Sequence, residues 1–246
     1  MWQVVNSGSR LAQDLMDLDK ELLETQSKPT IHFYRFQGPS LTYGLLMDPA
    51  EHLNLEVINQ KQIRLGKRPT GGGALFHMWD LAFSVVIPLD YIPHVTSTLD
   101  RYLLINKLTE KALEPFLKQG YDKKFLEKTP STHVGERFCM AKPTQYDLIV
   151  EGKKCVGAAQ RATKKALLHQ ATISLCAPDM ELLNKVLLDK KVADNMETQS
   201  FHLAEFPYTD KKSLEELQDL IESSILLTFN SYFDKVFNQK VPPNKL

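Results

Sequence analysis

Three consecutive glycines, Gly71, Gly72 and Gly73, stand between Arg68 and His77 in the stretch KRPTGGGALFH, residues 67–77. Main chain without side chains can lie directly against a ligand, and its amide donors suit a carboxylate, a phosphate or a developing oxyanion. Arg68 adds a planar cationic fork beside it. The same triplet also suits a tight strand crossing that meets no ligand, and His77 alone fits a hydrogen-bonded structural histidine. The run matches neither G-x-x-x-x-G-K-[ST] nor G-x-G-x-x-G, so no nucleotide-binding fold follows from it.

Cys139, Cys155 and Cys176 sit at spacings that match no zinc ribbon, and any one bridge would leave a thiol over. Reduced thiols are expected. The seven histidines include no HExxH or comparable pair, so no metal site is expected.

These groups must be positioned by a chain of 246 residues, enough for one sizeable core. Leu11, Leu15, Leu18 and Leu22 predict an amphipathic first helix. TIHFYRF, SLTYGLL and LAFSVVIPL read as strands, and TSTLDRYLLINKLTEKALEPFLKQG as a helix stopped at Gly120. That helix would place Leu99, Leu103, Leu108, Leu113 and Leu117 inward. QYDLIVEGKKCVGAAQRATKKALLHQATISL reads as successive strands with turns at Glu151-Gly152 and at Thr163 to Lys165. MELLNKVLL and SLEELQDLIESSILLTFNSYFDKVF return to helix. Strands clustered between helices without βαβ alternation predict an α+β fold with a mixed or antiparallel sheet.

Thirty basic side chains balance thirty acidic ones, which gives no global pull toward nucleic acid. No signal peptide or apolar run of spanning length is seen, so a cytoplasmic protein with no membrane contact is expected.

KRPTGGGALFH resembles the R-R-(S/T)-G-G-G-A-V-(F/Y)-H signature of the lipoate-protein ligase and octanoyltransferase family. A second block, Gly152 to Gln160, is similar to that family's G-(R/K)-K-(I/V)-x-G-S-A-Q, and a histidine-bearing strand, Leu168 to Thr172, follows it. Met16, Asp17 and Asp19 are similar to the family's N-M-A-x-D-E opening. The resemblance runs from about Trp2 to Leu175. It implies one biotin ligase-like catalytic domain over residues 1–246, of the class II aminoacyl-tRNA synthetase type, with a central mixed sheet flanked by helices and no accessory carboxy-terminal domain. It further implies attachment of a lipoyl or octanoyl group to a lysine of lipoyl domains, in 2-oxo acid dehydrogenases or the glycine cleavage H protein. Arg68, Gly71, Gly72, Gly73, His77, Gly157, Ala158 and His169 would bind substrate, and Lys154 matches the essential lysine. An ammonium can polarise an acyl carbonyl, and partial desolvation would lower the Lys154 pKa toward proton transfer. Without the motif, Lys154 would read as a solvated strand-edge lysine, as Lys153 does.

Two chemistries share this family. A ligase consumes ATP and Mg²⁺ to activate lipoate or octanoate, whereas a transferase takes octanoate from acyl carrier protein through a cysteine thioester and needs no cofactor. FCMAKPTQYDL, residues 138–148, resembles the transferases' C-F-x-x-P-S-x-Y-E-L block and makes Cys139 the candidate nucleophile, activated by Lys154 or another cation. The interval from His77 to Ser84 is transferase-like. Gly73 is ligase-like, since such transferases often carry arginine there, and Met78 replaces the usual aspartate after the histidine. An acyl-binding module without chemistry is the third reading. Cys155 and Cys176 read as structural.

Overall fold

A computed structural model of the protein describes residues 2–131 and 137–238. The strands are β1 (Gln3–Arg10), β2 (Thr30–Phe36), β3 (Ser40–Tyr43), β4 (Arg64–Lys67), β5 (Leu75–His77), β6 (Asp80–Pro88), β7 (Lys123–Phe125), β8 (Leu148–Val150), β9 (Lys153–Ala162) and β10 (Ala166–Ser174). The helices are α1 (Ala12–Thr25), α2 (Leu55–Gln60), α3 (Thr98–Leu113), α4 (Met180–Val186), α5 (Lys190–Gln199) and α6 (Lys211–Asn238).

Seven strands form one sheet in the order β1-β2-β6-β10-β9-β8-β7, and β4-β3-β5 form a second, smaller one. In the large sheet β1 and β2 run parallel while the other neighbours run antiparallel, so the sheet is mixed as expected. Successive strand side chains face opposite ways, and this alternation sorts the core. Tyr34, Ala82, Val86 and Leu168 meet Leu15, Met16, Leu22 and Leu23 of α1 in two compact clusters. Their neighbours Phe33, Phe83, Val85 and Leu167 enter a larger core with Ile105 and Leu108 of α3 and Ile221, Ile225 and Phe229 of α6. Leu41 and Phe76 carry that core into the small sheet.

The expected first helix, the three early strands, the three late strands with both turns, and the two late helices all form. The helix expected to run to Gly120 instead ends at Leu113. Pro115, inside a single 3₁₀ turn from Glu114 to Phe116, cannot continue the hydrogen-bond ladder, and Gly120 (φ 93°) serves a later turn. Leu99 is consequently no core residue: it stands in the first turn of α3 and is 46% exposed. Strand β1 had no sequence signal, because its mostly exposed, polar residues form a strand only by pairing with β2. Among the described residues no helix is long and apolar enough to cross a membrane.

The small sheet is clamped to α1 through β4, where the Lys67 N–H donates to Gln13 Oε1 at 2.9 Å and Gly66 lies against Ala12. A Cβ on Gly66 of β4 would stand 2.9 Å from the main-chain carbon of Ala12. Gly66→Val is therefore expected to destabilise the fold by about 1–3 kcal/mol through overpacking against backbone that cannot rotate away. Urea denaturation checks this, with an unchanged midpoint as the contrary result.

Candidate active site

Cys139, Lys154 and Gly157 meet at one end of β9. The Lys154 side chain is only 2% exposed, and its Nζ donates to the Cys139 carbonyl at 2.7 Å and lies 3.7 Å from the Cys139 Sγ. A Cβ on Gly157 would fall 2.7 Å from that sulfur and 2.8 Å from Lys154 Cε. Glycine at 157 is thus what lets thiol and ammonium share the space above the strand.

Lys154 is held charged. Its Nζ lies 2.6 Å from Asp147 Oδ2, and Asp147 is fully buried. The other carboxylate oxygen accepts from Tyr102 Oη at 2.5 Å, while Oδ2 also accepts from the Thr144 N–H at 2.6 Å and hydroxyl at 3.0 Å. Burial alone would push the lysine pKa down, but Asp147 and Cys139 more than offset it and the net shift is upward. The expectation of a lysine lowered toward proton transfer is therefore corrected: Lys154 is a fixed cation beside the thiol and no general base near neutrality. Burial and Asp147 push Tyr102 well up, which keeps its phenol a donor.

A second cation approaches from the small sheet. Arg68 is 6% exposed, and its Nη2 donates to the carbonyls of Gly71 at 3.2 Å and Gly73 at 2.5 Å, so the guanidinium holds the glycine run in its curve. Burial lowers its pKa, opposed by Cys139 and Tyr34. Among the described residues it forms no ion pair with a carboxylate, so its charge is free to favour an anion in the site. Gly72 has a left-handed φ of 87°, and a Cβ on Gly73 would stand 2.1 Å from the Arg137 carbonyl. The Ala74 N–H donates to that same carbonyl at 2.6 Å, and the Cys139 N–H donates to the Ala74 carbonyl at 3.0 Å. The glycine run and the cysteine segment are thereby laced together, with no room for a side chain at 73.

His77 is set by its neighbours. Thr42 Oγ1 accepts from Arg68 Nη1 at 2.8 Å and has its one proton left for His77 Nε2, also at 2.8 Å. The ring proton then sits on Nδ1, which faces Asp80 Oδ2 at 2.7 Å. Asp80, held by the Thr172 hydroxyl, supplies the carboxylate that Met78 does not. Between these groups lies a slot of about 20 Å³ lined by Arg68, His77, Cys139, Gly157, Ala158 and Ala171 among others. That is room for about one water. Tyr34, His77 and Ala82 separate it from a cavity of about 910 Å³.

His169 does not join this group. Its ring is fully buried behind Tyr102, with centroids 5.3 Å apart, and Nδ1 lies 3.3 Å from Gln160 Oε1 while Nε2 has no partner. Burial lowers its pKa to about 3. Cys155 and Cys176 are buried, and burial pushes their thiols up to about 12 and about 11, which leaves them inert beside Cys139. Tyr102, Thr42 and Asp80 were missed from sequence. Asp80 alone had a usable signal, a carboxylate three residues beyond His77.

Residues 12–206 match the family model described as the lipoyl protein ligase A/B catalytic domain. The chain belongs to this family. The octanoyltransferase LipM of Halalkalibacterium halodurans is 28% identical over 258 residues, covering 100% of this chain and 90% of that protein. The protein Ta0514 of T. acidophilum with bound lipoic acid superposes with a TM-score of 0.67 at 21% identity, over 97% of this chain and 95% of that one. A bi-partite lipoate protein ligase of Thermoplasma acidophilum, studied with its E2 lipoyl domain, gives 0.65 at 22% identity over 94% and 83%. At such identities the structural likeness is one of fold.

Gly157→Ala is expected to lower turnover about 10- to 100-fold by displacing the thiol, with little change in melting temperature. Steady-state kinetics beside a thermal melt checks it, and full activity would contradict the close approach. For His169 the sign is set by its depressed pKa. The unfolded chain takes up a proton below about pH 6.5 that the folded chain refuses, so stability falls as pH drops toward 3, by up to about 1.4 kcal/mol per pH unit. Urea midpoints at pH 7 and pH 5 should fall further in wild type than in His169→Gln.

Proposed function

We propose that this protein is a cysteine-dependent acyltransferase that moves an octanoyl group from a carrier-bound thioester to a lysine of a lipoyl domain. The observation that carries this reading is the Cys139 thiol flanked by the buried Lys154 ammonium at 3.7 Å, in a slot shared with Arg68. A fixed ammonium at this range can act on negative charge that develops at the sulfur or at a carbonyl bonded to it. The match to an octanoyltransferase LipM along the whole chain supports the same choice.

In the first step the Cys139 thiolate adds to the donor carbonyl. The carrier thiolate leaves, the octanoyl group becomes a thioester on Cys139, and the cysteine proton is balanced on the departing thiol. In the second step the neutral amine of the acceptor lysine adds to that thioester, the Cys139 thiolate leaves, and the surplus ammonium proton passes to it or to solvent. In both steps negative charge grows on the carbonyl oxygen, and the Lys154 ammonium, whose protons point at Asp147, the Cys139 carbonyl and, at 3.4 Å, the Lys142 carbonyl, acts on that charge electrostatically from a fixed position. The eight-carbon tail exceeds the closed slot, so binding requires side chains at its wall to move aside.

No nucleotide is needed for this route. The ligase route would need ATP and Mg²⁺, with lipoate or octanoate as substrate. Asp147, whose two oxygens already accept from Lys154, Tyr102 and Thr144, is committed to the protein. The acyl carrier protein as donor and the lipoyl domain as acceptor follow from the same reading, which belongs in the cytoplasm.

Wild type and Cys139→Ser, each given octanoyl-acyl carrier protein or lipoate plus ATP together with an apo lipoyl domain, separate the routes. The transferase is expected to form product without ATP, to show an octanoyl adduct on Cys139 by intact mass, and to lose both in the serine variant. ATP-dependent product that survives the substitution would establish the ligase instead. No product from folded wild type under either condition would leave an acyl-binding module.

A further inference from the structure

We propose that the Leu45-Leu46 tip and the cationic end of the β9–β10 hairpin form the docking face for the acceptor domain, the one that presents the target lysine. This inference rests on the transferase reading above and adds where the acceptor sits.

Leu46 is 90% exposed and Leu45 41% exposed, in a two-residue tip directly after β3. The tip is rigid. Gly44 and Met47 on either side are buried, the Leu45 N–H donates to the Thr70 carbonyl at 2.9 Å, and the Met47 N–H closes the turn onto Gly44 at 3.0 Å. A Cβ on Gly44 would stand 2.0 Å from the Gly72 carbonyl oxygen. Two leucines are thus held in water against the outer side of the glycine run itself. A fixed apolar knob loses little conformational freedom when a partner covers it.

The other side of the same loop is cationic. Arg161 Nη1 donates to the Pro69 carbonyl at 3.1 Å, and Lys164 and Lys165 follow at the hairpin turn. All three are exposed, and none pairs with a carboxylate among the described residues. Asp48, two residues beyond Leu46, has its carboxylate turned to the Ala50 N–H at 2.9 Å. An apolar tip with the unpaired Arg161 beside it, Lys164 and Lys165 further along the hairpin, and the exposed Asp48 and Glu51 on the chain beyond Met47 fits a protein domain with an apolar contact and an acidic patch facing the hairpin.

The position selects the acceptor over the donor. The knob is hydrogen-bonded to Thr70 and packed against Gly72, which itself lies against Arg68 and Ala159 of the slot wall, so a domain seated on it brings its surface to that wall, within reach of one lysine side chain. A thioester donor arrives on a long flexible arm and gains nothing by touching the lip.

The test uses the full chain, as wild type, Leu46→Ser and the double variant Lys164→Glu/Lys165→Glu. Acylation of Cys139 by octanoyl-CoA, followed by mass, should be unchanged in both variants. Transfer to an apo lipoyl domain should show a KM raised about tenfold with kcat within about twofold, and added salt should shrink the effect of the charge reversal. An unchanged acceptor KM in both variants would overturn the proposal. So would impaired acylation by octanoyl-acyl carrier protein with acceptor KM intact, because the face would then serve the donor. If wild type itself never acylates Cys139, the transferase reading fails separately. Docking is then read directly, as weaker binding of the fluorescently labelled apo lipoyl domain to each variant, and equal binding would end the proposal.

Discussion

The buried contact between the Lys154 ammonium and Asp147 is the constraint around which the site is assembled. A lysine 2% exposed is tolerated only if its charge is met, and here a carboxylate, a main-chain carbonyl and a sulfur meet it. The partners come from separate parts of the chain: Asp147 from the turn before β8, Tyr102 from α3, Cys139 from the segment laced to the glycine run. Deleting one member of such a pair leaves an uncompensated buried charge, typically a loss of about 3–5 kcal/mol. The same pair that makes the lysine permanent as a cation makes these elements mutually dependent.

Permanence suits the chemistry. A proton-shuttling lysine would have to spend part of its time neutral, and would then not stabilise negative charge that develops beside it. Asp147 removes that state. Arg68 supplies a second buried cation from the opposite side, spent partly on the carbonyls of Gly71 and Gly73 and otherwise open. The slot is therefore lined by one cation, Arg68, and by the Cys139 thiol with the Lys154 ammonium behind it, while Ala158 and Ala171 give it apolar wall.

The glycines follow from crowding and curvature more than from flexibility. Gly73 lies against the main chain of residues 137 and 138, Gly44 against Gly72, and Gly157 against the Cys139 sulfur. Each marks a place where two segments approach closer than a methyl group allows. A larger residue at 73 would need a different course for the cysteine segment. The ligase-like spelling of the glycine run and the transferase-like thiol are thus compatible here, because the small residue accommodates the segment that carries the cysteine.

Much of this protein was legible in its sequence. The amphipathic stripe of α1, the strand-like runs of β2, β6, β9 and β10, and the two turns between the late strands are local patterns, and local patterns survive folding. The motif residues Arg68, His77, Cys139, Lys154 and Gly157 were named from the chain, and the structure lines one slot with four of them and sets Lys154 behind Cys139 and Gly157. What tertiary structure decided was every property that depends on a neighbour distant in sequence. The charge state of Lys154 belongs to Asp147, the orientation of His77 to Thr42 and Asp80, and the retreat of His169 to its place behind Tyr102. Strand β1 likewise exists because β2 offers it an edge. A side chain's type is written in the sequence, but its pKa, partners and accessibility are set by the dielectric and the groups that packing brings within a few ångströms.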